Sequence, residues 1–114
     1  MNIIFKSDNC TAKDLHDLIM NPETQKMSSI VGDTIEIDVC ALYEDINSKG
    51  EIQRIFSCRT KNGEIFATNS STFTGDFDRM RTLFAEFGEE VHSIQVVDGV
   101  SKSGRVFITC KYIN

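Results

Sequence analysis

The stretch that decides the fold is residues 51–87, EIQRIFSCRTKNGEIFATNSSTFTGDFDRMRTLFAEF. It reads as a strand over Glu51 to Thr60, a sharp Lys61-Asn62-Gly63 turn, a short strand over Glu64 to Thr68 and then a helix. The Asn-Gly step predicts a tight primed turn, in which both central residues take positive φ. The helix is predicted from an apolar stripe that ends at Gly88 and repeats at helical spacing: Phe73, Phe77, Met80, Phe84 and Phe87.

Further strands flank this stretch on both sides. Thr34 to Tyr43 alternates apolar and polar residues, the period of a half-buried strand, and a turn cluster at residues 47–50 follows it. After the helix, Val91 to Val97 and Arg105 to Ile113 read as two more strands. The order β-β-β-α-β-β is that of the OB-fold, a small Greek-key barrel. We therefore predict that residues 34–114 form a mainly β, OB-fold-like five-stranded antiparallel barrel with one helix between strands 3 and 4.

Residues 1–33 are predicted to be an N-terminal helical extension that packs on the barrel. A capping pair at Thr11–Asp14 predicts a helix over about residues 12–20, after a short strand near the start of the chain. The Asn21-Pro22 step predicts a second helix that ends at Gly32. The extension is too small to be a separate domain, so the chain is one globular domain overall.

The net charge of -5 disfavours nucleic-acid binding, because nucleic-acid binders are usually basic. The excess lies in residues 1–50, which hold four Lys/Arg and nine Asp/Glu, whereas residues 51–114 hold eight of each. Residues 101–114 carry Lys102, Arg105 and Lys111 and no acidic side chain. The local potential at the end of the chain therefore still suits a polyanion.

No motif for catalysis or metal binding is present in the sequence. The four cysteines are widely separated, which predicts reduced core cysteines and no cofactor, metal site or disulfide framework. Cys58 with His92 could be a thiolate and its base, but no third group orients them, so we predict a non-enzyme without a small-molecule substrate. No apolar run approaches the ~20 residues that span a membrane, and the start does not read as a signal peptide, so a cytoplasmic protein is predicted.

The last strand predicts a nucleic-acid surface. Arg105, Phe107, Thr109 and Lys111 share one face, and single-strand binders stack bases on aromatic rings beside phosphate-binding cations. The second strand carries a weaker version of this pattern, and lysines occupy the turns. In the alternative interpretation the phenylalanines are core and the cations an ordinary solvated edge. The candidate nucleic-acid-binding residues are Lys49, Arg54, Phe56, Arg59, Lys61, Lys102, Arg105, Phe107 and Lys111.

Several short segments of the sequence resemble those of a known family. They are Gln25-Lys26-Met27-Ser28 leading to Gly32, Tyr43-Glu44-Asp45, Phe66-Ala67-Thr68-Asn69-Ser70-Ser71-Thr72-Phe73, Ser101-Lys102-Ser103-Gly104-Arg105 and Thr109-Cys110. Over about residues 25–111 the chain resembles small single-stranded DNA-binding proteins of phages and mobile elements of Gram-positive bacteria, including relatives from protein-primed Bacillus phages.

The resemblance implies a non-enzymatic, largely sequence-independent protein that coats displaced single strands during phage DNA replication in the bacterial host cytoplasm. The chain departs from bacterial SSB proteins in its acidity and in lacking a long acidic C-terminal tail. Self-association or cooperative binding would compensate for weak binding by one copy, and replication proteins are further possible partners. The alternative is a small acidic phage protein that binds and modulates a host or phage protein, as a DNA mimic for example.

Overall fold

The structure, a computed structural model, describes residues 1–113 and is mainly β with two α-helices. A short 3-10 turn covers Met27–Ile30. The elements in chain order are β1 (Asn2–Lys6), α1 (Ala12–Met20), β2 (Gln25–Lys26), β3 (Thr34–Ile46), β4 (Ile52–Thr60), β5 (Ile65–Thr68), α2 (Ser71–Ala85), β6 (Ser93–Val100) and β7 (Val106–Tyr112).

The strands form one curled, mixed sheet in the order β2-β5-β4-β3-β6-β7, with β1 also beside β3. The start of β3, Thr34–Glu36, pairs with β6, and its later residues pair with β4 and β1, so the sheet bends around β3. The five strands predicted in residues 34–114 are present as β3 to β7, they pair antiparallel, and α2 lies between the third and the fourth. The prediction of a five-stranded barrel is wrong, because the described sheet has seven strands and β2 runs parallel to β5. The additional strands come from the N-terminal extension, which covers backbone edges that a five-stranded sheet would leave unpaired.

The barrel is only half closed, because no ladder joins β5 to β7 within residues 1–113. We call the gap between β5 and β7 the seam, and side chains and the 3-10 turn fill it. The Ser70 hydroxyl, at the start of α2, donates a 3.1 Å hydrogen bond to the Ile108 carbonyl of β7. Met27 is fully buried, and its 3-10 turn contacts both β5 and β6.

Two apolar clusters cover the two faces of the central strands. On the inner face, Phe56 of β4 packs against Phe77 and Phe73 of α2, with ring centroids 4.2 and 5.5 Å apart. On the outer face, Leu18 of α1 belongs to a buried cluster with Tyr43 of β3. Burial of such side chains contributes roughly 1.5–3 kcal/mol each, so β3 and β4 are fixed from both sides.

The three hairpins share one turn geometry. The glycines Gly50, Gly63 and Gly104 have φ of 80, 88 and 84°, and each follows a turn closed by its own amide. In residues 1–113 every residue with positive φ is a glycine, so Asn62 does not have the φ that a primed turn needs. The prediction of a primed turn is therefore wrong, and the turn belongs to the three-residue class in which glycine forms a bulge.

The helix predictions are partly confirmed. The α1 helix begins with the expected capping box between Thr11 and Asp14. The second N-terminal helix is wrong: the Asn21 side chain accepts a 2.8 Å hydrogen bond from the Glu23 amide, and the next residues form β2 and the 3-10 turn. The α2 helix ends before Phe87, which is 74% exposed and so does not extend the apolar stripe.

Candidate nucleic-acid interface

Two hairpin ends carry cations beside exposed aliphatic side chains. We name residues 46–52 the β3–β4 tip and residues 100–106 the β6–β7 tip. Lys49 lies on the β3–β4 tip, and Lys102 and Arg105 lie on the β6–β7 tip, all of them exposed. Each tip is a three-residue turn that ends in a glycine of positive φ, and the β3–β4 tip also carries the exposed carboxylate of Glu51.

Two of the arginines that were predicted to bind nucleic acid form ion pairs with carboxylates. Arg54 lies 3.5 Å from the Glu44 carboxylate and 3.6 Å from that of Asp78, and its side chain is 40% exposed. Arg59 lies 3.0 Å from Asp14 and 2.9 Å from Asp38 and is 25% exposed. These contacts compensate both positive charges, so neither arginine is placed to bind a phosphate without breaking an ion pair.

Arg59 joins α1 to the sheet. Burial by itself lowers the pKa of Arg59, but hydrogen bonds to Asp38 and Asp14 raise it overall. The pKa of Asp14 is lowered by the hydrogen bonds from the Thr11 backbone and side chain, and further by Arg59. Because Asp14 also belongs to the capping box, Arg59 holds the first turn of α1 against β4.

The other predicted cations are free of ion pairs. In the part of the chain that the structure describes, none of these five side chains forms a salt bridge, and all are exposed: Lys49, Lys61, Lys102, Arg105 and Lys111. Three of them lie on the two tips, one on the outer face of β7 and one in the β4–β5 turn. The free positive charge of the predicted site is thus concentrated on the tips and β7.

The two predicted stacking aromatics have different environments. Phe56 is fully buried inside the inner cluster, so its assignment to a binding face is wrong. Phe107 is half-buried and lies outside both core clusters. Its ring lies over Gly99 on β6, so close that a Cβ at Gly99 would be 2.6 Å from Cζ of the ring. The ring of Phe107 therefore covers the space that the missing side chain of Gly99 leaves on β6, while part of the ring surface faces solvent.

The outer face of β7 mixes favourable and unfavourable groups. Phe107, Thr109 and Lys111 alternate onto this face, as predicted. The Thr109 hydroxyl donates a hydrogen bond to the Asp76 carboxylate of α2, which brings a negative charge to the middle of the strand. Gln95 stands opposite Lys111 and extends the polar surface onto β6.

An open groove on the outer face of β4 and β5 adds a residue that sequence reasoning missed. This outer groove has a volume of about 470 Å³, and none of the described residues that line it is a carboxylate: Lys26, Met27, Ser28, Gln53, Ile55, Ala67, Thr68 and Asn69. The Asn69 amide donates a 3.1 Å hydrogen bond to Gln53 across it. Lys26 reaches the groove because β2 pairs with β5, and no local sequence pattern signals that pairing.

A second groove lies between the start of β3 and the β4–β5 turn, and it is acidic. This acidic groove has a volume of about 670 Å³, and Asp33, Glu36 and Glu64 line it together with Lys61. Lys61 differs from the other free cations in its surroundings: carboxylates lie around it, and they would repel a phosphate group. The acidic groove does not suit a nucleic acid.

The cysteines do not assemble a reactive site. Cys58 is fully buried and its pKa is raised by burial, so the thiol is protonated at neutral pH and closed to solvent, whereas His92 is exposed. Among residues 1–113, no group of three or more His, Cys, Asp or Glu residues is placed to hold a metal ion. Over the same residues, no helix has the length and apolarity that crossing a membrane requires.

Comparisons of the chain with models of protein families, with curated proteins and with solved structures gave no match. The resemblance to phage single-stranded DNA-binding proteins therefore stays a prediction. The features of the molecule that bear on function are the free cations, the exposed apolar groups and the carboxylates on its surface.

Proposed function

We propose that this chain is a non-enzymatic single-stranded DNA-binding protein that contacts the strand with its two tips and the outer face of β7. The observation that carries the proposal is the placement of unpaired cations. Lys49 on one tip, and Lys102 and Arg105 on the other, are exposed and free of the carboxylates that neutralise Arg54 and Arg59. In its biological setting the protein coats displaced strands during phage or mobile-element DNA replication.

The order of the strands supports this proposal. The central order β5-β4-β3-β6-β7, with α2 between β5 and β6, corresponds to strands 3-2-1-4-5 of an OB-fold. OB-folds bind oligonucleotides with the face of strands 2 and 3 and with the loops that join strands 1 to 2 and 4 to 5. On that correspondence the two loops are the two tips, and the exposed part of the strand 2–3 face is the outer groove with Lys26.

The residue types favour binding with little sequence preference. Lysine and arginine at exposed turns contact phosphates, which carry no sequence information. The three tip cations and Lys111 provide about four phosphate contacts, which predicts a slope of log K against log salt of about -3 for a single strand. Such binding is weak for one copy, and several copies on one strand would raise the apparent affinity.

Fluorescence anisotropy with a labelled oligo-dT, beside a duplex of the same length, tests the proposal over a series of salt concentrations. The protein is expected to bind the single strand more tightly than the duplex, with the slope given above. The variant Lys102→Glu should weaken binding, whereas the matched control Lys13→Glu makes the same charge change on the exposed face of α1 and should not. Absence of binding to the single strand at low salt would overturn the proposal.

A second candidate function is favoured by the acidic groove. Its three carboxylates, Asp33, Glu36 and Glu64, line an open surface that suits a basic protein partner, as a DNA mimic would. In that case the chain would displace duplex DNA from a basic DNA-binding protein, and the variant Asp33→Asn/Glu36→Gln/Glu64→Gln would not. The oligonucleotide measurement separates the two functions, because a DNA mimic does not bind the labelled strand.

A further inference from the structure

The inner, core-facing side of the sheet continues past the core at both tips. On β3 and β4 the residues of this side end in the cross-strand pair Ile46 and Ile52, and on β6 and β7 they end in Val100 and Val106. None of these side chains belongs to either apolar cluster. They are among the most exposed large apolar side chains of the described chain, at 66, 72, 67 and 68%.

The two tips repeat one arrangement. Each has an aliphatic pair directly opposed across the hairpin, followed by a three-residue turn with a lysine and a glycine of positive φ. Scattered single apolar residues are normal on a protein surface, but an opposed pair beside an unpaired cation, present twice, is a small amphipathic platform. Such a platform fits a ligand that has flat apolar faces and negative charges close together.

We propose that the aliphatic pairs Ile46–Ile52 and Val100–Val106 are platforms on which the bases of a bound single strand lie. Lys49 on one tip, and Lys102 and Arg105 on the other, then hold the neighbouring phosphates. The inference rests on the proposed function and deepens it, since it assigns the base contacts to aliphatic pairs in addition to the predicted ring of Phe107. Apolar contact with a base face does not distinguish one base from another, so these platforms add affinity without sequence preference.

A protein partner fits the platforms less well. A stable protein interface buries about 800 Å² on each partner, whereas each platform consists of two side chains next to charged residues. Lys102 and Arg105 lie on a tip without an acidic residue, so they complement a polyanion better than a second acidic copy of this chain. The β3–β4 tip is less basic, because Glu51 lies on it and Glu44 and Asp45 line the surface around Ile46 and Ile52.

The test uses the full chain and labelled oligo-dT, with the double variants Ile46→Thr/Ile52→Thr and Val100→Thr/Val106→Thr. Threonine keeps the branched shape and the strand propensity, so the melting temperature should change little at these exposed sites. Each double variant is expected to bind about tenfold more weakly, with an unchanged salt slope because no cation is lost. The control Leu83→Gln removes a 55% exposed apolar side chain from α2 and should leave binding unchanged.

The outcomes separate this inference from the function on which it rests. If the parent binds oligo-dT and both double variants bind like the parent, the platforms are not base contacts, and the proposed function stands. If the parent does not bind, both fail. If sedimentation shows a parent dimer without nucleic acid that the double variants lose, the occupant is a second copy and this inference is overturned.

Discussion

An arginine followed two residues later by a phenylalanine occurs in β4 and again where the β6–β7 tip leads into β7, and the two copies have opposite environments. On β4, Arg54 is held by two carboxylates and Phe56 is fully buried under α2. Directly before β7, Arg105 is exposed and free of ion pairs within the described chain, and Phe107 of β7 lies half-buried over Gly99. The same residue types thus build the core in one strand and surface in the other.

The difference follows from the face of the sheet on which each phenylalanine lies. β4 lies between β3 and β5, and α2 covers its inner face, so an aromatic side chain there is enclosed. Phe107 lies on the outer face of β7 and belongs to neither apolar cluster, so part of its ring stays open, whereas Cys110 on the inner face of the same strand is buried in the core. Alternation in a sequence tells which residues share a face, but the neighbours of the strand decide whether that face meets solvent.

The largest effect expected from this comparison is on stability. Phe56→Ala removes a ring that contacts two others in the core and should cost about 3–5 kcal/mol of unfolding free energy. Phe107→Ala should cost much less, because its ring lies outside the core clusters. Urea unfolding of the two variants measures the difference, and equal losses would contradict the contrast between the strands.

The buried thiols of the two strands predict a loss of folding stability at alkaline pH. Burial raises the pKa of Cys110 on β7 to about 12 and raises that of Cys58 on β4 further. Above the ordinary thiol pKa the unfolded chain loses these protons while the folded chain keeps them, so stability is full below that pKa and falls as pH rises. At about pH 10.5 the loss should be about 2 kcal/mol for each thiol.

Urea unfolding between neutral pH and about pH 10.5 checks the thiol prediction. Cys110→Ala and Cys58→Ala should each reduce the alkaline loss by one thiol's share, whatever their stability at neutral pH. An alkaline loss that is unchanged in both variants would place its origin in other groups, such as Tyr43, whose pKa burial also raises.

The next effect is on binding. If a base stacks on the open face of Phe107, then Phe107→Ala should weaken oligo-dT binding by about 1–3 kcal/mol. Anisotropy at fixed salt measures this change, with the melting temperature of the same variant as the control for folding. Unchanged affinity in a folded Phe107→Ala variant would remove the ring from the interface and leave the tips as the candidate contacts.

The smallest effect concerns one charge on β7. Lys111→Ala should weaken binding to all sequences about equally and flatten the salt dependence by about one phosphate contact. Arg54→Ala on β4 should leave the salt slope unchanged, because that charge is already compensated by Glu44 and Asp78. A salt slope that responds equally to both substitutions would show that ion pairing does not decide which cations reach the strand.

The sequence predicted most of the local structure. The capping box of α1, the apolar stripe of α2 from Phe73 to Phe84 and the alternation of β7 are local patterns, and the structure contains all three. The mainly β class follows from the same patterns. The seven-stranded arrangement does not, because β2 is two residues long and exists only where it meets β5.

The candidate site was less predictable than the fold. Charge alone could not separate Arg59, held by two carboxylates from α1 and β3, from Arg105, which has none in the described chain. Phe56 and Phe107 each follow an arginine by two residues, and they differ because Phe56 faces α2 on the inner side of the sheet whereas Phe107 lies on the outer side. Lys26 carries no local signal, because the outer groove that it lines is formed by strands distant in sequence.

The Ser70 hydroxyl at the seam has two roles at once. It accepts a 3.3 Å hydrogen bond from the Phe73 amide, which caps α2, and it donates to the Ile108 carbonyl of β7. Fraying of the first helical turn and detachment of the β7 edge are therefore one local opening event. In native-state hydrogen exchange the amides of these two segments would exchange together and faster than those of β3, which is paired on both sides. Local opening of the half-barrel is thus expected at the seam, where the Ser70 side chain joins α2 to β7.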